Sequence, residues 1–279
     1  MSGDLPFLPE AENHEEEEAI GVASFILSLR ARGIRDVALL RAMELVPREV
    51  FAPRRFTDLS RTDVALPLPC GQTMTAPGTV AAMLLSLGVA PGQRVLEVGT
   101  GTGYVTALLA RLGAEVFTVE RFNTLAESAA QHLRIVEVGK VRVEIGDGLA
   151  TRARDRFDRI LLNGACAEIP HSVISLLAHG GRLVGALAME GLPRLVRIDR
   201  SDGDELRQEL GQALRISPLV TSPRPARTRR CSGTSTTRRR CSGGCPGCRR
   251  CSSNRRTEPL ERCRLCDARR LAEVALSAS

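Results

Sequence analysis

Val95-Leu96-Glu97-Val98-Gly99-Thr100-Gly101-Thr102-Gly103-Tyr104 leads through a helix-length stretch to Val116-Phe117-Thr118-Val119-Glu120-Arg121. An apolar strand enters a glycine-rich turn, a helix follows, and a second strand ends in an acid. That layout holds a nucleoside-containing cofactor at the carboxyl edge of a parallel sheet. The glycines stand at Gly99, Gly101 and Gly103, whereas a dinucleotide site wants its third glycine where Tyr104 stands. Glu97 lies just before the loop, where a carboxylate would repel a pyrophosphate but tolerate a cationic sulfonium. Glu120 lies at the end of the next strand, about 20 residues on, where a ribose diol is expected. The combination points to S-adenosyl-L-methionine. No GxxxxGK[ST] occurs, which excludes a P-loop.

Outward from this stretch, strands and helices alternate. The pattern predicts a helix over 79–87, a strand over 94–98, a helix over 103–112 and a strand over 115–119. A helix over 123–135 and a strand over 141–145 follow, then the Gly146-Asp147-Gly148 turn. A strand over 158–163, a helix near 171–178, a turn at Gly180-Gly181 and a strand over 182–187 come next. Segments 194–200 and 213–219 read as a hairpin. The expected fold is α/β, a Rossmann-like doubly wound sheet, mostly parallel, with a C-terminal antiparallel hairpin. Upstream, Val22, Phe25, Ile26 and Leu29 mark one face of an amphipathic helix ending at Gly33, with the acidic run Glu15–Glu18 at its start. Leu39, Met43 and Val46 mark a second helix that stops at Pro47. Prolines and glycines punctuate 51–78.

Composition divides the chain at about Thr221. Residues 221–279 hold fifteen arginines and four acids, while the whole chain carries a net charge of only +7. The body is therefore mildly acidic and makes no electrostatic case for nucleic acid. The arginines of the tail could bind nucleic acid only nonspecifically, since no aromatics interleave for stacking. Seven of the nine cysteines also lie in the tail. Cys70 and Cys166 alone in the body suit a reducing, cytoplasmic setting, and neither a signal peptide nor a membrane-spanning run is read. In the tail, Cys245-Pro246-Gly247-Cys248 and Cys263-Arg264-Leu265-Cys266 approach zinc-ribbon spacing. The stretch has too little apolar content to bury a core, and no metal site is assigned. A single lysine, Lys140, against 38 arginines suggests a GC-rich gene, and a shifted reading frame of such a gene would resemble this tail.

Residues 33–220 resemble the protein-L-isoaspartate O-methyltransferase family. Val46-Pro47-Arg48-Glu49-Val50-Phe51-Ala52-Pro53 resembles its entry segment. Ala65-Leu66-Pro67-Leu68 with Gly71-Gln72-Thr73-Met74-Thr75-Ala76-Pro77 resembles its substrate loop, the most family-specific piece. The glycine loop, Val119-Glu120-Arg121, Gly146-Asp147-Gly148, Phe157-Asp158, Glu168-Ile169-Pro170 and Gly180-Gly181-Arg182-Leu183-Val184 follow in family order, and Arg215–Val220 resembles its closing strand. Departures are Thr75 where the family usually has serine, Asn163-Gly164-Ala165-Cys166 for a Thr-Ala-Ala-like run, and Cys70 before the substrate loop.

The resemblance implies methyl transfer from S-adenosyl-L-methionine to the α-carboxylate of isoaspartyl residues in damaged proteins and peptides. The ester then cyclises to a succinimide that reopens partly to aspartate. An ionised carboxylate needs no strong base, so proximity and preorganisation can carry the reaction. The four histidines, His14, His132, His171 and His179, read as scattered surface residues. Thr75 is expected to place the substrate carboxylate, with Gln72, Thr73 and Pro77 as further substrate-binding residues. Glu97, Gly99, Thr100 and Gly101 would border the methionine part of the cofactor, and Gly103 would begin the helix facing it. Glu120 would hold the ribose, and Asp147 and Gly148 would flank adenine. Asn163 either lines the site or only satisfies a loop. The expected organisation is a disordered N-terminus (1–14), N-terminal helices with the substrate loop (15–78), a cofactor-binding methyltransferase domain (79–220), and a disordered basic tail (221–279). Two other readings stay open: a carboxylate methyltransferase for a dedicated peptide or small molecule, and a binding module using the tail as a zinc or nucleic-acid element.

Overall fold

Val95, Leu96, Glu97 and Val98 are all buried, as a strand covered on both faces requires. Val95 joins an apolar layer with the N-terminal helices, while Leu96 and Val98 join the opposite layer with Phe157 and Leu177. The computed structural model describes residues 10–150 and 155–219, with side chains from residue 16 onward.

Helices α1 (Glu10–Ala31), α2 (Val37–Leu45) and α3 (Arg48–Phe51) come first, then a 3-10 turn (Arg54–Leu59). Strands β1 (Leu66–Pro67) and β2 (Thr73–Met74) pair antiparallel around a 3-10 turn at Pro69–Gly71. Then come α4 (Pro77–Leu87), β3 (Arg94–Val98), α5 (Tyr104–Arg111), β4 (Glu115–Glu120), α6 (Asn123–Ile135) and β5 (Val141–Ile145). The remainder is β6 (Phe157–Cys166), α7 (His171–Ile174), β7 (Leu177–Leu187), β8 (Arg194–Arg200) and β9 (Leu206–Ala213).

The main sheet runs β5-β4-β3-β6-β7-β8-β9, parallel from β5 through β7 and antiparallel at β8 and β9. Chain order reverses between β3 and β6, and in open α/β sheets ligands bind at the carboxyl ends of strands beside that switch. The helices form where their patterns say. Phe25 and Leu29 bury one face of α1, and Leu39, Leu40 and Met43 bury one face of α2. Asp36 caps α2 by accepting a hydrogen bond from the Leu39 amide at 2.8 Å. Pro77 opens α4, and Gly88, at φ 61°, closes it in the left-handed conformation. α2 packs on α1, α4 and α5, and α3 packs on α6, so the N-terminal helices lie against the helices that flank β3.

Four features differ from expectation. α1 begins at Glu10, so helix reaches into the segment read as disordered over 1–14; the alanine and glutamate composition there favours helix. The helix expected near 171–178 is one turn only, because β7 already begins at Leu177. Gly180-Gly181 is an irregularity inside β7: Leu177 stands opposite Phe157, and the next pair is Arg182 with Arg159. The hairpin partner of β8 is β9, not 213–219. β9 is a polar edge strand whose residues do not alternate in hydrophobicity, so it carries no strand signature. Beyond Ala213, the last residue of β9, segment 214–219 instead returns to the carboxyl edge of the sheet, where Pro218 bridges Ala165. Residues 1–9 and the tail with both CxxC pairs lie outside the described residues.

Candidate active site

A cleft enclosing about 850 Å3, part of it open to solvent, lies at the carboxyl ends of β3, β4 and β6. The glycine loop forms its floor. Gly99 and Gly101 take φ of 94° and 59°, which brings backbone rather than side chain against the cavity. The Gly99 amide extends the β3–β4 pairing by donating to the Val119 carbonyl at 2.9 Å. Gly148 faces Val98, whose Cγ1 would stand 2.6 Å from any added Cβ, so the turn after β5 can close on the floor only as glycine.

Glu120 is 5% exposed at the end of β4 and lines the cleft. Its carboxylate accepts from the Gly101 amide at 2.8 Å and from the Phe122 amide at 2.9 Å. Each oxygen keeps a further lone-pair site, enough to accept from a vicinal diol. Asp147, Gly148, Thr100 and Asn163 also line the cleft. Asp147 accepts from the Leu149 amide at 3.1 Å, as a turn aspartate does, while remaining in the cleft wall. Asn163 donates to the Gly99 carbonyl at 3.1 Å and thereby ties β6 to the glycine loop.

Glu97 and Gly103 do not line the cleft. Glu97 is 0% exposed and lies under the loop, where Oε2 accepts from Thr106 at 2.5 Å and from Thr118 at 2.8 Å, and Oε1 faces Asn163 Nδ2 at 3.5 Å. Burial pushes this carboxyl up to about 7; the three hydrogen bonds hold it down and the nearby Glu120 charge raises it further. Thr118 in turn shares a 2.6 Å hydrogen bond with Thr100 in the cleft wall. Glu97 therefore anchors the loop from beneath instead of bordering the cavity. Gly103 caps α5 at φ 94° and packs against Ala129 of α6.

The β1–β2 hairpin supplies the facing wall. Gln72, Thr73 and Thr75 line the cleft, and Thr75 is 9% exposed. Gln72 folds back to donate to the Cys70 carbonyl at 3.2 Å. Pro77 is buried at the start of α4 and does not reach the cavity. Thr73 Oγ1 meets Ser217 Oγ at 2.5 Å. That contact reveals what the sequence reading missed: segment 216–219 is a strap forming one wall of the same cleft. The strap is fastened by Ala165 donating to the Ser217 carbonyl and Leu219 donating to the Ala165 carbonyl, both at 2.8 Å. Gly164 allows its approach, since a Cβ there would stand 2.6 Å from Leu219. The resemblance of Arg215–Val220 to a closing strand was the available signal, but only its long-range partners place it at the site.

His132 also departs from the reading as a surface residue. It is half-buried, its Nδ1 lies 3.0 Å from the Thr102 carbonyl, and its ring meets Phe51 edge-on at 5.5 Å. A carbonyl only accepts, so Nδ1 carries the proton. Cys166 is buried and its thiol is pushed up to about 11 by desolvation, which leaves it a poor nucleophile at neutral pH.

The family profile of protein-L-isoaspartate(D-aspartate) O-methyltransferase matches residues 22–223. The chain belongs to this family. A protein-L-isoaspartate O-methyltransferase from Xanthobacter autotrophicus is 44% identical over 208 residues, covering 74% of this chain and 94% of the relative. One from Azorhizobium caulinodans is 40% identical over 209 residues, covering 74% and 95%. Among solved structures, a Plasmodium falciparum protein assigned to the same family, in complex with S-adenosyl-L-homocysteine, superposes with a TM-score of 0.64 at 20% identity. It covers 71% of this chain and 98% of the other, a likeness of fold. The match ends close to where composition breaks, so the tail stands outside the family's extent.

Among the described residues no group of three or more His, Cys, Asp or Glu could hold a metal ion, and no helix is long and apolar enough to cross a membrane.

Proposed function

We propose that this isoaspartate methyltransferase family member methylates the α-carboxylate of isoaspartyl residues in damaged proteins and peptides, using S-adenosyl-L-methionine. The observation that carries the reading is the convergence of two loops on one cleft. A ribose-type carboxylate, Glu120, stands on one side, and the Gln72–Thr75 hairpin stands on the other. The cleft fits the cofactor on its own chemistry. Gly99 and Gly101 expose backbone, Glu120 offers acceptors for a diol, and Val98, Phe122 and Leu149 give apolar walls for a purine.

When bound, S-adenosyl-L-methionine supplies a methyl group on a positively charged sulfur. The chain's part is placement. Glu120 and the Asp147-Gly148 turn hold the nucleoside end, while Thr100 and the Gly99–Gly101 backbone border the other end. Thr75 donates a hydrogen bond that orients the acceptor carboxylate for in-line attack. The strap at 216–219 and the hairpin screen the cavity from water, so that alignment and a preorganised field supply the acceleration. The acceptor is ionised at neutral pH, so the proposed step draws on no general base.

The test is transfer of labelled methyl to two matched peptides, one with isoaspartate and one with aspartate. Labelling of the isoaspartyl peptide alone, lost in Thr75→Ala, is the expected result. Transfer to neither peptide, with cofactor binding intact, would overturn the acceptor assignment and direct the search to a dedicated peptide or small-molecule carboxylate.

A further inference from the structure

Arg48 is 2% exposed, and among the described residues its guanidinium pairs with no carboxylate. Its four hydrogen bonds all go to main-chain carbonyls, while its buried Nε makes none among the described residues. Nη1 donates to Ser60 at 2.9 Å and to Thr62 at 3.4 Å; Nη2 donates to Val64 at 2.9 Å and to Thr75 at 3.3 Å. Its carbon Cζ stands 6.0 Å from the centre of the Tyr104 ring, and Tyr104 opens α5 directly after the glycine loop and lines the cleft. Burying a cation is costly unless hydrogen bonds offset the lost hydration, and the four made by Nη1 and Nη2 hold the accepting carbonyls in one arrangement. Three of the four carbonyls belong to segment 60–64 and the fourth is that of Thr75. The same segment has a second anchor: Asp63 accepts from the Gly78 amide at 2.6 Å and pairs with Arg32 at 2.9 Å. Segment 60–64 is thus clasped to both ends of the stretch 75–78, and the Thr75 backbone has one planar cation to set its position.

We infer that Arg48 is a positioning residue for methyl transfer, fixing the Thr75 main chain so that the Thr75 hydroxyl meets the acceptor carboxylate. The inference rests on the proposed role of Thr75. Arg48 touches neither the acceptor nor the cofactor, and its effect passes through the substrate loop. Lysine cannot replace it, because one ammonium cannot reach four carbonyls in the geometry of a planar fork.

The experiment compares wild type, Arg48→Lys, Thr75→Ala and the double variant, in the full chain. For each, calorimetry gives the affinity for S-adenosyl-L-homocysteine and steady-state methylation of an isoaspartyl peptide gives kcat and KM. Arg48→Lys is expected to keep its S-adenosyl-L-homocysteine affinity within about threefold while kcat/KM for the peptide falls roughly thirtyfold. In the Thr75→Ala background the same change is expected to lower kcat/KM by no more than about twofold, since the two residues act as one unit. Multiplicative losses in the double variant would assign Arg48 a purely structural role and overturn the inference. Gly78→Ala covers the case in which Arg48→Lys does not fold. Its Cβ would stand 2.8 Å from Asp63 Oδ2 and so loosens the other anchor without stranding a buried charge. It too should lower peptide turnover with cofactor affinity kept, and unchanged turnover would overturn the clasp. A wild type that binds S-adenosyl-L-homocysteine and methylates no isoaspartyl peptide overturns the function itself, whereas an active wild type matched by Arg48→Lys overturns only the role of Arg48.

Discussion

At the residue scale, two acids read from one motif separate into different roles. Glu120 reaches the cavity, and Glu97 is sealed beneath it. Glu120→Ala removes the acceptor for two loop amides as well as the proposed diol partner, so calorimetry should show S-adenosyl-L-homocysteine binding weakened by roughly tenfold or more. Glu97 predicts a pH signature. Its carboxyl is raised from 4.5 to about 7, so the folded protein keeps a proton that the unfolded chain has already released. Stability from this group therefore falls as pH rises from about 4.5 to about 7 and is level above, a loss on the order of 3 kcal/mol. Urea denaturation at pH 5 and pH 8, for wild type and Glu97→Gln, isolates it: the variant should lose less stability between the two. Identical losses would mean that Glu97 ionises in the fold as it does in the unfolded chain. Spacing in the sequence located both acids, but which face of β3 meets α5 decided that Glu97 is interior.

At the element scale, strands covered on both faces were legible and the β9 edge was not. β3, β4 and α6 lie where the periodicity places them, because burial on defined faces dictates their composition. β9 could not be read, since an edge strand need not alternate. The apolar content of the strap reads as a hairpin partner for β8 but serves the cleft instead. Gly164→Ala should push Leu219 off the sheet edge and open this wall. The expected outcome is a severalfold weaker affinity for both cofactor and peptide, with melting lowered only slightly. Asp36→Ala is the contrasting change. Loss of the α2 cap should remove about 1 kcal/mol in urea denaturation while methyl transfer stays within experimental error.

At the scale of the whole molecule, the cleft lining among the described residues ends at residue 219 and the family match ends at 223. A chain ending at residue 223 is therefore expected to bind S-adenosyl-L-homocysteine and methylate an isoaspartyl peptide within about twofold of the full chain, a difference near the limit of kinetic resolution. Loss of either activity with release of bound zinc would return function to the cysteines of the tail.

The amino-acid sequence by itself determined the α/β class, the strand–loop–helix unit for the nucleoside, the acid at the end of β4, and the break in composition near residue 221. Each of these is local: glycine freedom, a hydrophobic period, or a residue type at a fixed distance along one element. Only the tertiary structure decided that Glu97 is beneath the loop, that 216–219 walls the cleft, and that Arg48 ties segment 60–64 to Thr75. Those features depend on pairs such as Thr73 with Ser217, far apart in the chain. No local pattern encodes them, because the partners meet only once the sheet has set which strand ends lie side by side.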